Sequence, residues 1–555
     1  VVGLITTMLF YWVAIFAVYM MLNRGIWVFT DVSKSMSMFM LEKALGPAID
    51  FAEGRQGSGA KAWIMQGAFW LILASALTFC GLWLGHDPTA LHSLGSWGYS
   101  PTSETLLLAG NLVALFGAVG MLLIGAGLHI VPTLGGTQLA SERNAALMSF
   151  VWTLSVLIMA IGAHKPVLLG LNVLFVGTAF QVLALIAVIV NQLLTAASRT
   201  RKMALPAWLI IIGLLSDPIS TVIIAVTGGL ETGLGQWLLV RMVSGGFFFL
   251  QVAGVSLYAA SQGTGNPLWS RSLAAVTLLG ALLTLNPMGD TSGKLAADML
   301  GFDVEAFEPT SNDVIAGSFL MALAAIPIIA LSSNILVTMR GDDVFMENPD
   351  SPGMPEINMG ALMLIPLGIG ALFVQTDALT GGNELSGISP TLLLLVVWLL
   401  LVPLALGSAL CVYPAVTGRN LLSTNRSRWA FWMMAGGAFS GLIITMMADF
   451  SEMALAEAAV EDNSMISNKL RAIGSVLFYG TVIGAILHCL NMISGIFRGA
   501  FVDAQATPSS SSIEQASYNL TAGTTVRKIL ASGANLDTEI VPISQDEGSG
   551  SPTEL

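Results

Sequence analysis

Apolar runs of roughly 18 to 30 residues, separated by short polar breaks, fill most of this chain. About 13 such runs are long enough to cross a bilayer core with some tilt. They lie near 1–22, 62–85, 105–131, 145–163, 167–194, 205–227, 236–261, 272–289, 312–339, 357–376, 389–414, 428–449 and 467–497. Each is predicted to be a transmembrane helix. The first is long enough to span, so it is counted as a helix and not as a signal peptide.

Three of the breaks share one pattern. Gly136-Thr137-Gln138-Leu139-Ala140-Ser141, Gly265-Asn266-Pro267-Leu268-Trp269-Ser270 and Gly418-Arg419-Asn420-Leu421-Leu422-Ser423 all read Gly-x-x-Leu-x-Ser. Each follows a glycine-rich apolar helix, precedes a new apolar run and has a basic residue close behind: Arg143, Arg271 and Arg426. Pro132, Ser261 and Pro414 stand four residues before the three glycines. A thrice-repeated helix–loop–helix restricts the architecture more than any single motif does.

Composition agrees with the spans. The chain is 55 % hydrophobic and 10 % charged, less than half the charge fraction of ordinary soluble domains. The fold class is therefore an all-α polytopic membrane protein. The net charge of −12 gives no reason to expect nucleic acid, since the acids gather in loops and tail. Cys80, Cys411 and Cys489 fall in apolar helices without CxxC or zinc spacing and read as packing residues.

With the N-terminus outside, most Lys and Arg fall on inner loops: Arg24 to Lys61, Arg143, Arg199 to Lys202, Arg271, Arg340, Arg419 to Arg428, and Arg498 onward. Lys165 and Lys294 are left outside, and Arg241, Lys469 and Arg471 lie in or at the edge of spans. This follows the positive-inside rule and predicts a prokaryotic plasma-membrane protein with a cytoplasmic C-terminus. The outer loops are acidic, one with Asp290, Asp298, Asp303, Glu305 and Glu308, another with Glu452, Glu457, Glu461 and Asp462. They are either plain hydrophilic loops or a docking surface for a basic electron carrier. Residues 23–61 form an inner loop, and residues 499–555 have the composition of a disordered cytoplasmic tail. The sequon Asn519-Leu520-Thr521 falls on the cytoplasmic side and is discounted.

The repeated pairs resemble subunit I of the haem–copper oxidases, above all the cbb3-type cytochrome oxidases and nitric oxide reductases. Gly127-Leu128-His129-Ile130-Val131-Pro132 with the first loop is similar to the end of that family's second helix. Tyr258 to Leu273 is similar to its sixth-to-seventh junction. Val412-Tyr413-Pro414 with Gly418-Arg419 and Trp429-Ala430-Phe431-Trp432 is similar to the end of its tenth helix and the start of its eleventh. The resemblance implies a twelve-helix bundle over 62–498 with a threefold quasi-repeat, and one extra N-terminal helix over 1–22.

The resemblance also implies six histidines holding two haems and a copper. Counting back from the loops, the low-spin haem ligand falls at Ala109 or Gly110. Its partner and the high-spin ligand fall around Leu392 to Leu394. The copper ligands fall at Arg241 and near Asn286-Pro287-Met288. None is histidine. His86, His92 and His164 are in outer loops, while His129 and His488 lie toward inner span ends. The fold is implied and its chemistry is not, so no catalytic or metal-binding residue is assigned.

Arg241 lies inside a span, where an arginine snorkels or meets a counter-ion. Asp217, in the preceding span, is the candidate partner for a buried ion pair replacing the metal centre. Gly437-x-x-x-Gly441 and Gly480-x-x-x-Gly484 would bring helices close together. Three functions follow. One is a haem- and copper-free subunit packed against other membrane subunits of a respiratory electron-transfer complex. A second is an active oxidase or nitric oxide reductase with unorthodox ligands, such as haem on His129 or His488. The third is a transporter or ion-conducting bundle.

Overall fold

The structure, a computed structural model, describes residues 54–227, 242–283, 311–340, 352–379, 385–458, 464–502 and Ile513. Twelve long helices occur among them. They are α1 (Ser58–His86), α2 (Ser103–Gly135), α3 (Glu142–His164), α4 (Val173–Ala197) and α5 (Leu205–Thr227). Next come α6 (Met242–Phe249 continuing into Leu250–Thr264), α7 (Arg271–Leu283) and α8 (Ser311–Thr338). The last four are α9 (Met354–Leu379), α10 (Ser389–Thr417), α11 (Thr424–Glu457) and α12 (Ser464–Arg498). Nine helices among the described residues are long and apolar enough to cross a membrane, so the protein is an all-α polytopic membrane protein. The predicted run 1–22 lies outside the described residues, as does part of the runs 236–261 and 272–289.

Helices α2, α6 and α10 pack against one another in pairs at the centre of the bundle. Of the 18-residue apolar window in α10, 94 % is buried, against 44 % in α3, whose Leu147, Phe150, Leu154 and Leu157 face outward. Each central helix contains a π-helical segment, at Val113–Gly120, Met242–Phe249 and Val397–Leu401. A π turn widens the helix and is tolerated where neighbours compensate. Trp152 of α3 does so for α2, donating its Nε1–H to the Phe116 carbonyl at 2.7 Å. Rings then fill the centre. Trp152 stacks on Phe247 with centroids 6.3 Å apart, Phe116 meets Phe248 at 5.6 Å, and Trp398 meets Phe478 edge-on at 5.5 Å.

Small residues set the closest helix pairs. On α11, a β-carbon added at Gly437 would stand 2.6 Å from the Thr481 nitrogen, and one at Gly441 2.7 Å from the Gly474 carbonyl oxygen. At Gly484 of α12 it would stand 2.5 Å from the Met434 nitrogen. These backbones touch directly, as the Gly-x-x-x-Gly spacings predict.

Two boundaries differ from the hydropathy reading. The run 167–194 does not start as helix. Val167–Leu168 and Leu171–Asn172 pair as a small antiparallel hairpin around Leu169 and Gly170, both at positive φ. Helix α4 then starts at Val173, with the Asn172 side chain accepting from Phe175 N. Apolar composition could not separate hairpin from helix there. Helices α2 and α10 run past Pro132 and Pro414 to Gly135 and Thr417, because a proline near a helix end removes few hydrogen bonds.

Candidate functional site

The three Gly-x-x-Leu-x-Ser loops are built alike. Each begins with a glycine in the left-handed region, Gly136 at φ 62°, Gly265 at 70° and Gly418 at 68°, where a side chain would be strained. Each turns its leucine inward: Leu139 and Leu268 are buried, and Leu421 is half-buried against the core. Each ends on a serine that caps the next helix, Ser141 accepting from Asn144 N, Ser270 from Leu273 N and Ser423 from Arg426 N.

An asparagine from a distant helix clamps each serine. Asn191 Oδ1 accepts from Ser141 N at 3.0 Å while its Nδ2 donates to Ser141 O at 2.8 Å. Asn334 does the same to Ser270 at 3.1 and 2.9 Å, and Asn491 to Ser423 at 3.0 and 3.0 Å. One turn further on, Thr195 and Thr338 accept from Ala140 N and Trp269 N, both at 3.0 Å. Gly495 stands at that place in the third copy, and a β-carbon there would lie 2.7 Å from the Tyr413 hydroxyl and 3.0 Å from the Asn420 carbonyl oxygen. The clamps satisfy backbone groups that the helix ends leave open.

The first and third loops border one cavity of about 590 Å³ at their end of the bundle. His129, Gln138, Glu142 and Arg201 line it beside the apolar Leu128 and Pro414. Glu142 is already committed, since its carboxylate accepts from Gly57 N at 2.9 Å and Gly59 N at 2.8 Å and so caps α1. A second recess of about 250 Å³ adjoins it around Arg143 and shares Gln56, Gln138, Leu139 and Glu142. The start of the tail borders the same region. Val502 N donates to Gly418 O at 3.1 Å, Asn420 N to Ala500 O at 2.8 Å, and the Arg419 guanidinium lies 3.9 Å over the Phe501 ring. Leu268 N donates to Ile513 O at 3.0 Å.

An ionisable pair lies within the bundle. Glu356 on the first turn of α9 and His488 on α12 approach to 3.5 Å, with side chains 0 % and 1 % exposed. The backbone at Gly353, φ 87°, lies against Gly407 of α10, whose added β-carbon would meet the Gly353 carbonyl oxygen at 2.6 Å and Glu356 Cβ at 3.0 Å. Sequence reasoning treated His488 alone and missed Glu356. A single acidic residue at a helix start reads as a dipole partner, and its neighbour lies far along the chain.

The family-derived ligand positions do not converge on a cofactor site. Ala109 is fully buried, and a β-carbon at Gly110 would stand 2.8 Å from Thr78 Oγ1 and 3.1 Å from Thr78 N. Helix α1 therefore occupies that side of α2. Leu392 and Leu394 are buried aliphatics. These side chains offer no nitrogen ligand, and Thr78 stands directly against Gly110, so they do not fit as the ligands of a haem. Arg241, Asn286 and Pro287 lie outside the described residues. Asp217 is buried on α5, but the pairing with Arg241 therefore falls outside them too. The histidines are dispersed. His86 Nδ1 contacts Asn468 Oδ1 at 2.6 Å, His164 lies edge-on to Tyr99, His129 borders the cavity and His488 meets Glu356. Among the described residues no group of three His, Cys, Asp or Glu side chains could hold a metal ion.

At the opposite end the acidic surface is partly neutralised. Arg471 Nη2 contacts Asp449 Oδ1 at 3.1 Å and Glu452 Oε2 at 2.5 Å, and Thr391 donates to the other Asp449 oxygen. The acids from Asp290 to Glu308, with Glu461 and Asp462, lie outside the described residues. No protein-family model matches this chain, and no curated protein matches it.

Proposed function

We propose that this chain is a haem- and copper-free relative of oxidase subunit I that serves as a membrane scaffold, packing other subunits of a respiratory electron-transfer complex. The observation that carries it is the direct packing of Thr78 on Gly110, at the position where the family's low-spin haem ligand would stand. The three matching loops, their asparagine clamps and the central trio of π-containing helices support a bundle of three four-helix units, α1–α4, α5–α8 and α9–α12. The loop end carries Arg143, Arg199, Arg201, Arg271, Arg340 and Arg419, which supports a cytoplasmic orientation for it in a prokaryotic plasma membrane. Purifying the chain from its native membrane under mild conditions tests the reading. A redox subunit is expected to co-purify, and a chain that behaves as a lone monomer contradicts it.

A second reading, an ion-conducting bundle, is favoured by the Glu356–His488 pair, because intramembrane ionisable residues commonly mark ion pathways. Proton flux into liposomes containing only this chain separates the two. Flux abolished by Glu356→Gln establishes conduction, and a flux no greater than in empty liposomes leaves the scaffold.

A further inference from the structure

The cavity between the first and third loops has an electrostatic imbalance that the scaffold reading does not use. Its one carboxylate, Glu142, is held by two backbone N–H groups. Its one guanidinium, Arg201, has no hydrogen-bond or ion-pair partner among the described residues, although its Cγ and Cδ are fixed over Gly136. The His129 ring likewise has no polar partner among them and borders the same space. Arg143 flanks the adjoining recess, again without a partner among the described residues, its side chain laid over Gly54. Arg199, by contrast, is occupied: its Nη1 donates to Ala196 O at 2.9 Å, and its guanidinium sits 5.9 Å from the Trp208 ring centroid.

The space is far larger than one oxyanion fills, and Leu128, Pro132, Pro414 and Val502 give it an apolar side. Its volume falls in the range of small-molecule sites. It opens where α1 begins and α2 and α10 end, the depth at which a bilayer's head groups meet the protein. Guanidinium forks pair bidentately with phosphate and carboxylate oxygens, and phosphate is the anion that head groups present at this depth. We propose that this cavity binds a phosphate-bearing amphiphile of net negative charge, its phosphate against Arg201 and His129 and its apolar part against Leu128, Pro132 and Pro414.

The full chain in phosphatidylcholine nanodiscs, with and without phosphatidylglycerol, provides the test, with retained lipid counted by native mass spectrometry. Wild type and Arg199→Ala are expected to retain phosphatidylglycerol, and Arg201→Ala to lose about tenfold or more in affinity. Arg201→Lys, which keeps charge and stem, is expected to fall between them and guards against a folding defect. Inorganic phosphate at constant ionic strength separates the sources. Displacement of the lipid assigns the site to soluble phosphate compounds, and no displacement assigns it to a lipid head group. Equal retention by wild type and Arg201→Ala overturns the proposal, and so does equal loss in Arg199→Ala and Arg201→Ala, which would mark diffuse attraction to the membrane.

Discussion

Asn191, Asn334 and Asn491 each close two backbone hydrogen bonds on a capping serine, so truncating one exposes two groups at once. A buried polar group left unpaired costs about 1–3 kcal/mol. Asn491 also donates to Ser427 Oγ at 2.7 Å, and its loop has glycine where the others have a second clamp. Asn491→Ala is therefore expected to lower the melting temperature more than Asn191→Ala, where Thr195 still holds Ala140 N. A melting series in one detergent gives the order, and the reverse order contradicts the clamp. Gly110→Ala tests the packing of α1 on α2 at Thr78. With Thr78 backbone and hydroxyl both near, the added methyl is expected to cost about 1–3 kcal/mol. Thr78→Ala should restore part of the loss, since only the hydroxyl contact disappears. An unchanged melting temperature for Gly110→Ala would mean open space beside α2.

At the scale of elements, the π segment of α2 relies on Trp152 of its neighbour. Trp152→Phe keeps the ring but leaves the Phe116 carbonyl without the indole. It is expected to cost about 1–3 kcal/mol and to speed amide exchange across 113–120 relative to the rest of α2. The loop that ends α10 relies on the tail. Ending the chain at Arg498 removes the bond that Asn420 N donates to Ala500 O, the one that Val502 N donates to Gly418 O, and the ring under the Arg419 guanidinium. Trypsin is then expected to cut after Arg419 faster than in the full chain, as followed by peptide mapping.

The elements also mark what the sequence could say. Gly136, Gly265 and Gly418 advertise helix ends, and Ser141, Ser270 and Ser423 advertise helix starts, because both signals are local. The clamps act across 50, 64 and 68 residues. Asn334 and Asn491 are single polar residues in apolar runs, and only the fold aligns them with their serines. The π segments left no trace in hydropathy, since one extra residue per turn does not change which residues are apolar. Glu356 was hidden for the same reason as the clamps.

Across the whole molecule, the described residues sort by charge and by packing. Cations gather at the end with the three loops, aromatic rings fill the centre, and the far end balances Arg471 against Asp449 and Glu452. Under the proposed kinship with oxidase subunit I the interior is where redox groups would sit, and here Trp63, Trp152, Trp398, Phe247 and Phe478 are among the largest fully buried side chains. The most direct measurement is an absorption spectrum, oxidised and reduced, of the chain purified from its own membrane, with iron and copper determined on the same sample. The account predicts no Soret band and metal far below one atom per chain. A Soret band with an iron for each chain would contradict it.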